Sequence, residues 1–415
     1  MATRTYEIVV LGATGFTGVY IVEAVAQFLP TDLKWAIAGR SEQKLSTLLS
    51  QTIKPVNPDR ADPAIETCTL DYQELDVLTK KTKVLINAIG PYHIYSEPVV
   101  KACAENGTHY IDCTGEVPWV RRMLLKYDET AKKSGAIIIP ESGFESAVSD
   151  LLVWQTVSEI RTALNANTTD VIASLHNLDS RVISGGTLST ILTLFSSFPL
   201  SEIQQSFTQW SLAPEPGKPL PRPTLWTLLT GLSTIPGLGQ LTTSVTGQTN
   251  AAIVHRSASL LSYGPNFTFE EKLRPRSTLF GILTHYFFIL ASLLILLPPL
   301  RLLLSKLVYA PGSGPARKEK DTDSVEYRAI GHADDGSSSS SQKRVFARLT
   351  NQGNMYKFTG TLLAVGAAVL AREVESSAAE RRRGLCTPAM LGDAFVQGMR
   401  KTGMSLEASV LDDDE

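Results

Sequence analysis

Three glycines near the start of the chain, Gly12, Gly15 and Gly18, have a spacing that suits the binding of a dinucleotide. They follow a short apolar run, 6–11, and precede an apolar stretch with helical periodicity, 19–28, so the sequence predicts strand, turn and helix. Backbone N–H groups of such a turn and the positive end of the helix dipole bind a pyrophosphate. The alternative is a glycine-rich turn that binds nothing. The predicted cofactor contacts in this turn are Gly12, Thr14, Gly15, Phe16, Thr17 and Gly18.

The residue that follows the second predicted strand, 33–38, distinguishes the two nicotinamide cofactors. An acidic residue there accepts a hydrogen bond from the ribose 2′-OH of NAD, whereas an arginine pairs with the 2′-phosphate of NADP. Here the residue is Arg40, and Ser41 and Lys44 could add a hydroxyl and a positive charge. Ser41 is also predicted to cap the next helix, 41–50. The alternative for Arg40 is a solvated surface charge, but its position favours NADP(H).

The fourth predicted strand, 84–89, leads into Asn87, Gly90 and Pro91, which are expected to face the nicotinamide half of the cofactor. A nicotinamide enzyme must also manage one proton. The sequence has no Tyr-x-x-x-Lys pair, no H-E-x-x-H, no G-x-S-x-G and no Walker A motif. Proton donors must therefore come from loops at the carboxyl ends of the strands. The candidate catalytic residues are Tyr92, His93 and Glu145.

Each of these candidates has a structural alternative. Tyr92 and His93 could serve loop packing and contact with the cofactor ring instead of proton transfer. Two further acids, Asp112 and Glu116, could donate protons or cap the helix that begins near Pro118. Tyr95 and Ser146 complete the set of loop candidates, and the turn 185–187 before a helix could bind an anion or a carbonyl.

Strands alternate with helices up to about residue 150, which predicts an α/β protein with an N-terminal Rossmann domain, 1–150, built on a doubly wound parallel sheet. The alternation is then lost, so 151–275 is predicted to form a second, α+β domain for substrate binding or dimerisation, with a strand at 251–263. A serine-rich stretch, 311–343, is predicted to be a disordered linker. The last segment, 344–415, is predicted to complete the second domain with a hairpin (344–350 with 354–361) and helices at 362–379 and 388–399.

Residues 279–300 carry no formal charge and meet the length criterion for a membrane helix, which defines an apolar segment, 276–310. Arginines or lysines lie on both sides of this segment, so there is no clear positive-inside asymmetry. Three arrangements are open: a single span, an interfacial or hairpin anchor, and a buried helix at a subunit interface. Because Pro298 and Pro299 would end the helix and a second apolar stretch, 300–308, follows, the hairpin or interfacial arrangement is favoured.

Composition excludes several other classes. The 415 residues have a formal charge of −2, so nucleic acid is not expected as a partner. The four cysteines show no metal-ligand spacing and are expected to be buried free thiols, with no metal site. The N-terminus runs directly into a strand without a signal-peptide pattern, which argues against secretion. Together with the apolar segment 276–310, this predicts a membrane-associated protein with a cytosolic catalytic domain.

Several sequence blocks together resemble the saccharopine dehydrogenase-like oxidoreductase family, which includes trans-acting enoyl reductases and animal proteins of lipid droplets. The N-terminal blocks are GATGFTG (12–18), AGR (38–40), NAIGPY (87–92), HYIDCTGE (109–116) and SGFESAVSD (142–150). The later blocks are ISGGTLST (183–190), VHRSASLL (254–261), APGSGP (310–315), YKFTG (356–360) and TPAMLG (387–392). The chain departs from the family at Glu145 and Val148, where the family block has aspartate and proline.

The resemblance implies an NADP(H)-dependent oxidoreductase that acts as a reductase on a hydrophobic lipid or polyketide-type substrate. Such a protein would work at a membrane, with the endoplasmic reticulum or a lipid droplet as candidate locations, and a homodimer is open. The alternative is a non-catalytic membrane or lipid-droplet protein that keeps the Rossmann fold as a scaffold. The departures at 145 and 148 concern the substrate side, since the cofactor block is intact.

Overall fold

The computed structural model describes residues 4–179, 193–297, 299–300, 322–334, 336, 342–372 and 383–412. Several features predicted from the sequence lie outside these residues. They are the family block 183–190 with its possible anion-binding turn at 185–187, Pro298, most of the second apolar stretch at 300–308, the family block 310–315, the run of serines at 337–341, and the end, 373–379, of the predicted helix 362–379.

In the described part of the chain, the first sheet has seven parallel strands. Its strands are β1 (Tyr6–Leu11), β2 (Trp35–Gly39), β3 (Ala64–Thr67), β4 (Thr82–Asn87), β5 (His109–Asp112), β6 (Ile137–Ile139) and β13 (Gly384–Leu385), in the order β13-β6-β5-β4-β1-β2-β3. The central strand β1 is a continuous apolar run because helices cover both faces of the sheet, and Ile8, Val9, Val10 and Leu11 are all buried. This confirms the Rossmann half of the predicted fold.

The helices of this half are α1 (Phe16–Phe28), α2 (Glu42–Leu48), α3 (Tyr72–Lys81), α4 (Glu97–Asn106) and α5 (Val117–Ser134). One core cluster joins α1 to one face of the sheet, and a second cluster joins α4 and α5 to the other face. The first face is completed by a helix from far along the chain, α11 (Met355–Arg372), which packs against α1.

A second, mixed sheet of seven strands lies beyond a long connecting helix, α6 (Phe144–Leu164), as far as the structure describes it. Its strands are β7 (Asn167–Asp179), β8 (Ser233–Ile235), β9 (Gly239–Thr243), β10 (Thr268–Leu273), β11 (Ser324–Asp334), β12 (Arg344–Gln352) and β14 (Ser405–Val410), in the order β14-β12-β11-β7-β10-β9-β8. The remaining helices are α7 (Leu200–Ser206), α8 (Leu225–Thr230), α9 (Gly247–Leu260), α10 (Thr278–Ile295) and α12 (Gly392–Arg400). Because α6 and α9 cover one face of this sheet, the predicted α+β second domain is confirmed.

Three element predictions were wrong. Residues 324–334 of the predicted disordered linker form β11, because alternate side chains such as Val325 and Tyr327 are buried against α6 and the core. The hairpin joins β11 to β12 instead of 344–350 to 354–361, because Asn354 Oδ1 accepts the N–H of Tyr356 at 2.9 Å and starts helix α11. The predicted strand 251–263 is the buried helix α9.

The domain boundaries also differ from the division read from the sequence. Residue 150 falls inside α6, and the C-terminal segment does not belong to the second domain alone. Its helix α11 packs on α1, and β13 pairs with β6 at the edge of the first sheet. The two ends of the chain therefore build the Rossmann half together.

Candidate cofactor and substrate site

The glycine-rich turn leaves no room for side chains. Gly12 has a φ of +81°, and a Cβ there would lie 2.7 Å from Ile89 Cγ1. A Cβ on Gly18 would lie 2.2 Å from the carbonyl oxygen of Gly12. The first glycine is thus required by its backbone conformation and the last by the close packing of helix on turn. This is the geometry that a bound pyrophosphate needs.

The N-terminus of α1 is open to an anion. Gly15 at its N-cap offers no side chain, and the first turn contains no acidic residue. The N–H groups of this first turn therefore lack a capping carboxylate or hydroxyl, and the helix dipole adds partial positive charge. Phe16, half-buried in the first turn, and the exposed Thr14 flank this N-terminus. The residues present fit the pyrophosphate of NADP(H).

The carboxyl end of β2 carries the residues predicted to recognise the 2′-phosphate. Arg40 and Lys44 are exposed, and Ser41 is partly exposed. Ser41 Oγ accepts the backbone N–H of Lys44 at 3.4 Å, so its predicted role as N-cap of α2 is confirmed. Its hydroxyl hydrogen remains available to an oxygen of a phosphate. The contacts of these three residues with the cofactor remain predictions.

Asn87 at the end of β4 is wholly buried and organises the neighbouring loop. Its Nδ2 donates to Ser96 Oγ at 2.8 Å and to Tyr110 Oη at 3.1 Å, and its Oδ1 accepts the N–H of Ile89 at 3.1 Å. The Tyr110 hydroxyl donates in turn to Asp112 Oδ2 at 2.5 Å. Asn87 therefore fixes the start of the loop 89–91 through its hydrogen bond to Ile89, whether or not it also contacts the cofactor.

Two of the three candidate catalytic residues are enclosed. Tyr92 is buried, and its hydroxyl lies 3.2 Å from both the Asn87 carbonyl oxygen and Cys113 Sγ. His93 Nδ1 lies 2.7 Å from Glu116 Oε2, and the side chains of this pair are 0% and 1% exposed. Glu116 also accepts the N–H groups of Tyr92 at 2.9 Å and His93 at 2.8 Å. These contacts support the packing role that the sequence left open, and they show Glu116 fixing this loop.

Glu145 differs because its side chain is exposed. It lies in the first turn of α6, beside the end of β5, where a Cβ on Gly143 would lie 2.9 Å from Cys113 Cβ. The pKa of the Glu145 carboxyl is raised, chiefly by desolvation from the surrounding protein and further by Glu271. An exposed carboxyl with a raised pKa, at the carboxyl edge of a parallel sheet, can carry a proton to a bound substrate.

Glu271, on β10, is buried and accepts four neutral hydrogen bonds. Donors to its two oxygens are Ser149 Oγ at 2.7 Å, Asn250 Nδ2 at 2.7 Å, Thr246 Oγ1 at 2.8 Å and Ser244 Oγ at 3.1 Å. Hydrogen bonds of this number compensate the removal of a carboxylate from water. The group joins α6, α9 and β10 behind Glu145.

The sequence reasoning missed Glu141, which follows β6. It is 0% exposed, has a φ of +57°, and neither carboxylate oxygen has a hydrogen-bond partner within the described part of the chain. Burial, with Asp112 and two further acids nearby, raises the pKa of this carboxyl well above its ordinary value. Its backbone N–H donates to Asp112 Oδ1 at 3.1 Å. The clue in the sequence was an acid directly after a short apolar run, 136–140.

Asp150 was quoted in the sequence block 142–150 but given no role. Burial raises its pKa to about 7, although hydrogen bonds from Ser257, Ala389 and Thr387 lower it. Its Oδ2 accepts the Ala389 N–H at 2.8 Å. Asp150 therefore joins α6 to the C-terminal TPAMLG segment, which is distant in the sequence.

The YKFTG segment forms another wall that the sequence did not place here. The ring of Tyr356 meets that of Phe16 edge-on with centroids 4.8 Å apart and stacks on Tyr20 at 6.1 Å. Thr359 Oγ1 accepts the N–H of Phe144 at 3.2 Å. The start of α11 thus bridges the cofactor turn and the helix that bears Glu145.

Comparison with known proteins agrees with this geometry. Residues 8–139 match the family described as saccharopine dehydrogenase NADP binding domain. A putative trans-acting enoyl reductase of Mycobacterium tuberculosis, Rv2449c, is 30% identical over 440 residues, covering 98% of both chains. The chain belongs to the saccharopine dehydrogenase-like oxidoreductase family. This family member therefore binds NADP(H).

Two other relatives cover less of the chain. A human saccharopine dehydrogenase-like oxidoreductase is 41% identical over 40% of this chain and 41% of its own length. A lipid droplet localized protein of Caenorhabditis elegans is 38% identical over 35% of each chain. Among solved structures, the saccharopine dehydrogenase (L-Glu forming) of Saccharomyces cerevisiae matches with a TM-score of 0.58 and 13% identity, covering 98% of this chain and 100% of that one. At this identity the match shows the shared fold alone.

Proposed function

We propose that this NADP(H)-dependent oxidoreductase is a reductase for a hydrophobic lipid or polyketide-type substrate, and that it works at the surface of a membrane or lipid droplet. The observation that carries the proposal is the apolar helix α10, whose exposed side chains include Leu279, Phe287 and Leu293. The names of the relatives from Mycobacterium tuberculosis and Caenorhabditis elegans support it.

A short series of contacts leads from α10 to Glu145. His285 Nδ1 on α10 lies 2.7 Å from Thr243 Oγ1, the last residue of β9. The next residue, Ser244, donates to Glu271 at 3.1 Å. Glu271 in turn raises the pKa of the Glu145 carboxyl. These contacts connect the proposed lipid-binding helix to the part of the fold that bears the proton-donor candidate.

The reaction divides between cofactor and protein. Bound NADP(H) would supply a hydride to one carbon of an unsaturated or carbonyl group. Glu145, whose pKa is raised by desolvation and by Glu271, would donate a proton to the neighbouring atom, and its exposed carboxyl would regain a proton from water. The Glu116 carboxylate holds the backbone of Tyr92 and His93, and with it the Gly90 loop that would line the nicotinamide site. For an enoyl group, the β-carbon would receive the hydride and the α-carbon the proton.

The activity is tested with the purified full chain on phospholipid vesicles, NADPH, and a panel of enoyl thioesters, ketones and sterol-like lipids. We expect NADPH oxidation with at least one hydrophobic substrate. The oxidation is measured as the loss of absorbance of the reduced nicotinamide. Glu145→Gln is expected to lower that rate by about 10²-fold or more while NADPH affinity stays within about twofold, because general acid catalysis contributes about 10²–10⁴-fold. An unchanged rate in this variant would exclude Glu145 as the donor.

A second candidate function is a lipid-surface protein that binds NADP(H) without reducing a substrate. The enclosed positions of Tyr92 and His93 favour it, because the Tyr92 hydroxyl contacts Cys113 Sγ and the His93 ring contacts the Glu116 carboxylate. This protein would bind NADPH tightly and show no oxidation above background over the whole panel. Turnover of any panel member in the wild-type chain, abolished by Glu145→Gln, would rule it out.

A further inference from the structure

The short helix α8 is unusual because its apolar side chains face solvent. Leu225 is 70% exposed, Trp226 63% and Leu228 61%, and none of the six residues is buried. A soluble monomer rarely exposes a contiguous group of large apolar side chains without a partner. The helix is well formed, with Thr224 Oγ1 accepting the Thr227 N–H at 3.1 Å, so this exposure belongs to an ordered element.

Helix α8 lies against the middle of α10. Tyr286 Oη donates to the Leu229 carbonyl oxygen at 2.8 Å, and a Cβ on Gly231 would lie 2.5 Å from His285 Cγ. The two helices therefore form one surface, which we call the apolar platform. Neither helix contains a charged residue, and exposed arginines, Arg222 and Arg276, precede them. An uncharged surface with aromatic residues and flanking basic residues matches the chemistry of a phospholipid layer.

The first half of α10 is attached to the folded body. Gly281 is buried, and a Cβ there would lie 2.8 Å from Leu232 Cδ2. Thr242 Oγ1 donates to the Gly281 carbonyl oxygen at 2.9 Å, and His285 contacts Thr243. Apolar side chains are exposed in both halves, Leu279 at 67% and Phe287 at 64%, but the contacts of Gly281, His285 and Tyr286 all lie in the first half. None of the described residues in 287–297 is buried. We call 278–286 the attached half of this helix and 287–297 its projecting half.

This division limits how deep the helix can insert. An 18-residue helix is about 27 Å long and would barely cross a hydrocarbon core of about 30 Å. If α10 crossed from Thr278, the polar contacts of His285 and of strand β9 would lie near the middle of that core, where an exposed strand is not tolerated. The projecting part, 287–297, is about 16 Å long, close to one leaflet of about 15 Å.

We propose that the protein inserts into one leaflet only, with 287–297 among the acyl chains and α8 lying at the boundary of headgroups and acyl chains, where Trp226 sits. This inference rests on the lipid association in the proposed function and adds its depth and its second contact. The partner of this surface is a phospholipid layer. Insertion into a single leaflet is compatible with a lipid droplet, because a droplet is coated by a phospholipid monolayer that a membrane-spanning helix cannot cross.

Depth is measured by quenching of tryptophan fluorescence in the full chain bound to vesicles that contain phospholipids brominated either near the glycerol end or deep in the acyl chain. We expect shallow bromines to quench Trp226 at least twofold more than deep ones. Trp226→Phe gives the contribution of the other tryptophans, of which Trp35, Trp119 and Trp210 are buried. If the vesicles bind the protein but neither bromine position quenches Trp226, the α8 contact is wrong while the lipid association stands.

Two lipid surfaces distinguish one leaflet from a span. Triacylglycerol emulsion droplets coated by a phospholipid monolayer and bilayer vesicles of the same phospholipid should bind the protein within about threefold of each other per area of surface. Binding to bilayers alone would overturn single-leaflet insertion. Failure to bind either surface, together with a concentration-dependent dimer in solution, would assign the platform to a second copy of the chain and remove the lipid part of the proposed function.

A matched pair of variants tests α8 directly. The triple change Leu225→Ser, Trp226→Ser and Leu228→Ser should weaken binding to both surfaces at least tenfold, because burying each large side chain in lipid is favourable. Leu125→Ser is the control, since Leu125 is 71% exposed on α5 of the Rossmann half. Unchanged NADPH affinity verifies that each variant is folded. Equal losses in the triple variant and the control would refute a specific role for α8.

Discussion

At the scale of single residues, Arg40 carries the cofactor preference. It is exposed at the end of β2, and Lys44 lies one turn further along α2. We expect Arg40→Asp to weaken NADPH binding about 10- to 150-fold, the value of a charge-assisted hydrogen bond of about 1.5–3 kcal/mol, while sparing NADH. Fluorescence titration with both cofactors measures this. Equal affinity of the wild-type chain for NADPH and NADH would contradict the role of Arg40.

Asp150 makes stability depend on pH. Its pKa in the folded chain is about 7, above the value of 3.8 for an exposed aspartate, so the folded state binds the proton more tightly than the unfolded state. Its contribution to stability is therefore complete below about pH 4 and is lost as the pH rises to about 7, at no more than about 1.4 kcal/mol per pH unit. We expect Asp150→Asn to show a shallower fall in urea-unfolding free energy between pH 5 and 7. Parallel pH curves for the two proteins would refute this.

The residues of the cofactor turn could be predicted because glycine has a direct steric meaning. Gly12 needs a positive φ, and Gly18 needs the absence of a side chain, and both requirements appear as glycine in the sequence. Glu141 could not be found in this way, because an acid after a buried strand is equally compatible with a solvated turn. Only the packing shows that its carboxyl is enclosed and unpaired.

At the scale of elements, the contact of α11 with α1 depends on Gly360. A Cβ there would lie 2.6 Å from the backbone oxygen of Tyr20, whereas a Cβ on Gly366, in the same helix, would meet the end of the Ile111 side chain at 2.8 Å. A flexible side chain can move and a backbone cannot. We therefore expect Gly360→Ala to lose about 1–3 kcal/mol of stability and to weaken NADPH binding, since the start of α11 lies beside Phe16.

The same substitution at Gly366 serves as the control, because both alanines gain about 1 kcal/mol of helix propensity. Urea unfolding of the two variants, with NADPH titration of each, separates a backbone clash from a general effect of the methyl group. If Gly366→Ala were as damaging as Gly360→Ala, the close approach of the two helices would not explain the result.

Elements with one clear periodicity were predicted, and elements shaped by distant contacts were not. Strands β1, β2 and β4 contain apolar runs between turn residues, and these runs were sufficient to predict them. Strand β3, with the sequence AIET, is partly exposed and was not predicted. Strand β11 alternates buried residues such as Val325 and Tyr327 with polar ones, and its polar face resembled the linker beside it. The sequence of α9 mixes β-branched residues with alanine and serine, so its local pattern is ambiguous. Its packing against α6 and β10 stabilises the helix.

At the scale of the whole molecule, the Rossmann half is incomplete without the C-terminus. The α11 residues Leu362, Leu363 and Leu370 are buried in the core shared with the first sheet, and β13 pairs with β6. We expect residues 1–150 expressed alone to lack a cooperative unfolding transition and to bind NADPH at least tenfold more weakly than the full chain. Differential scanning calorimetry and NADPH titration measure both. A 1–150 fragment that unfolds cooperatively with wild-type affinity would contradict this.

The interleaving of the two ends has a consequence for the order of events during synthesis. The projecting half of α10 leaves the ribosome before α11, and the 75 residues from 298 to 372 take about 4–15 s to translate at 5–20 residues per second. During that interval α10 is present while one wall of the nucleotide crevice does not yet exist. If α10 binds lipid as we propose, the nascent chain can reach a lipid surface before it can hold NADPH.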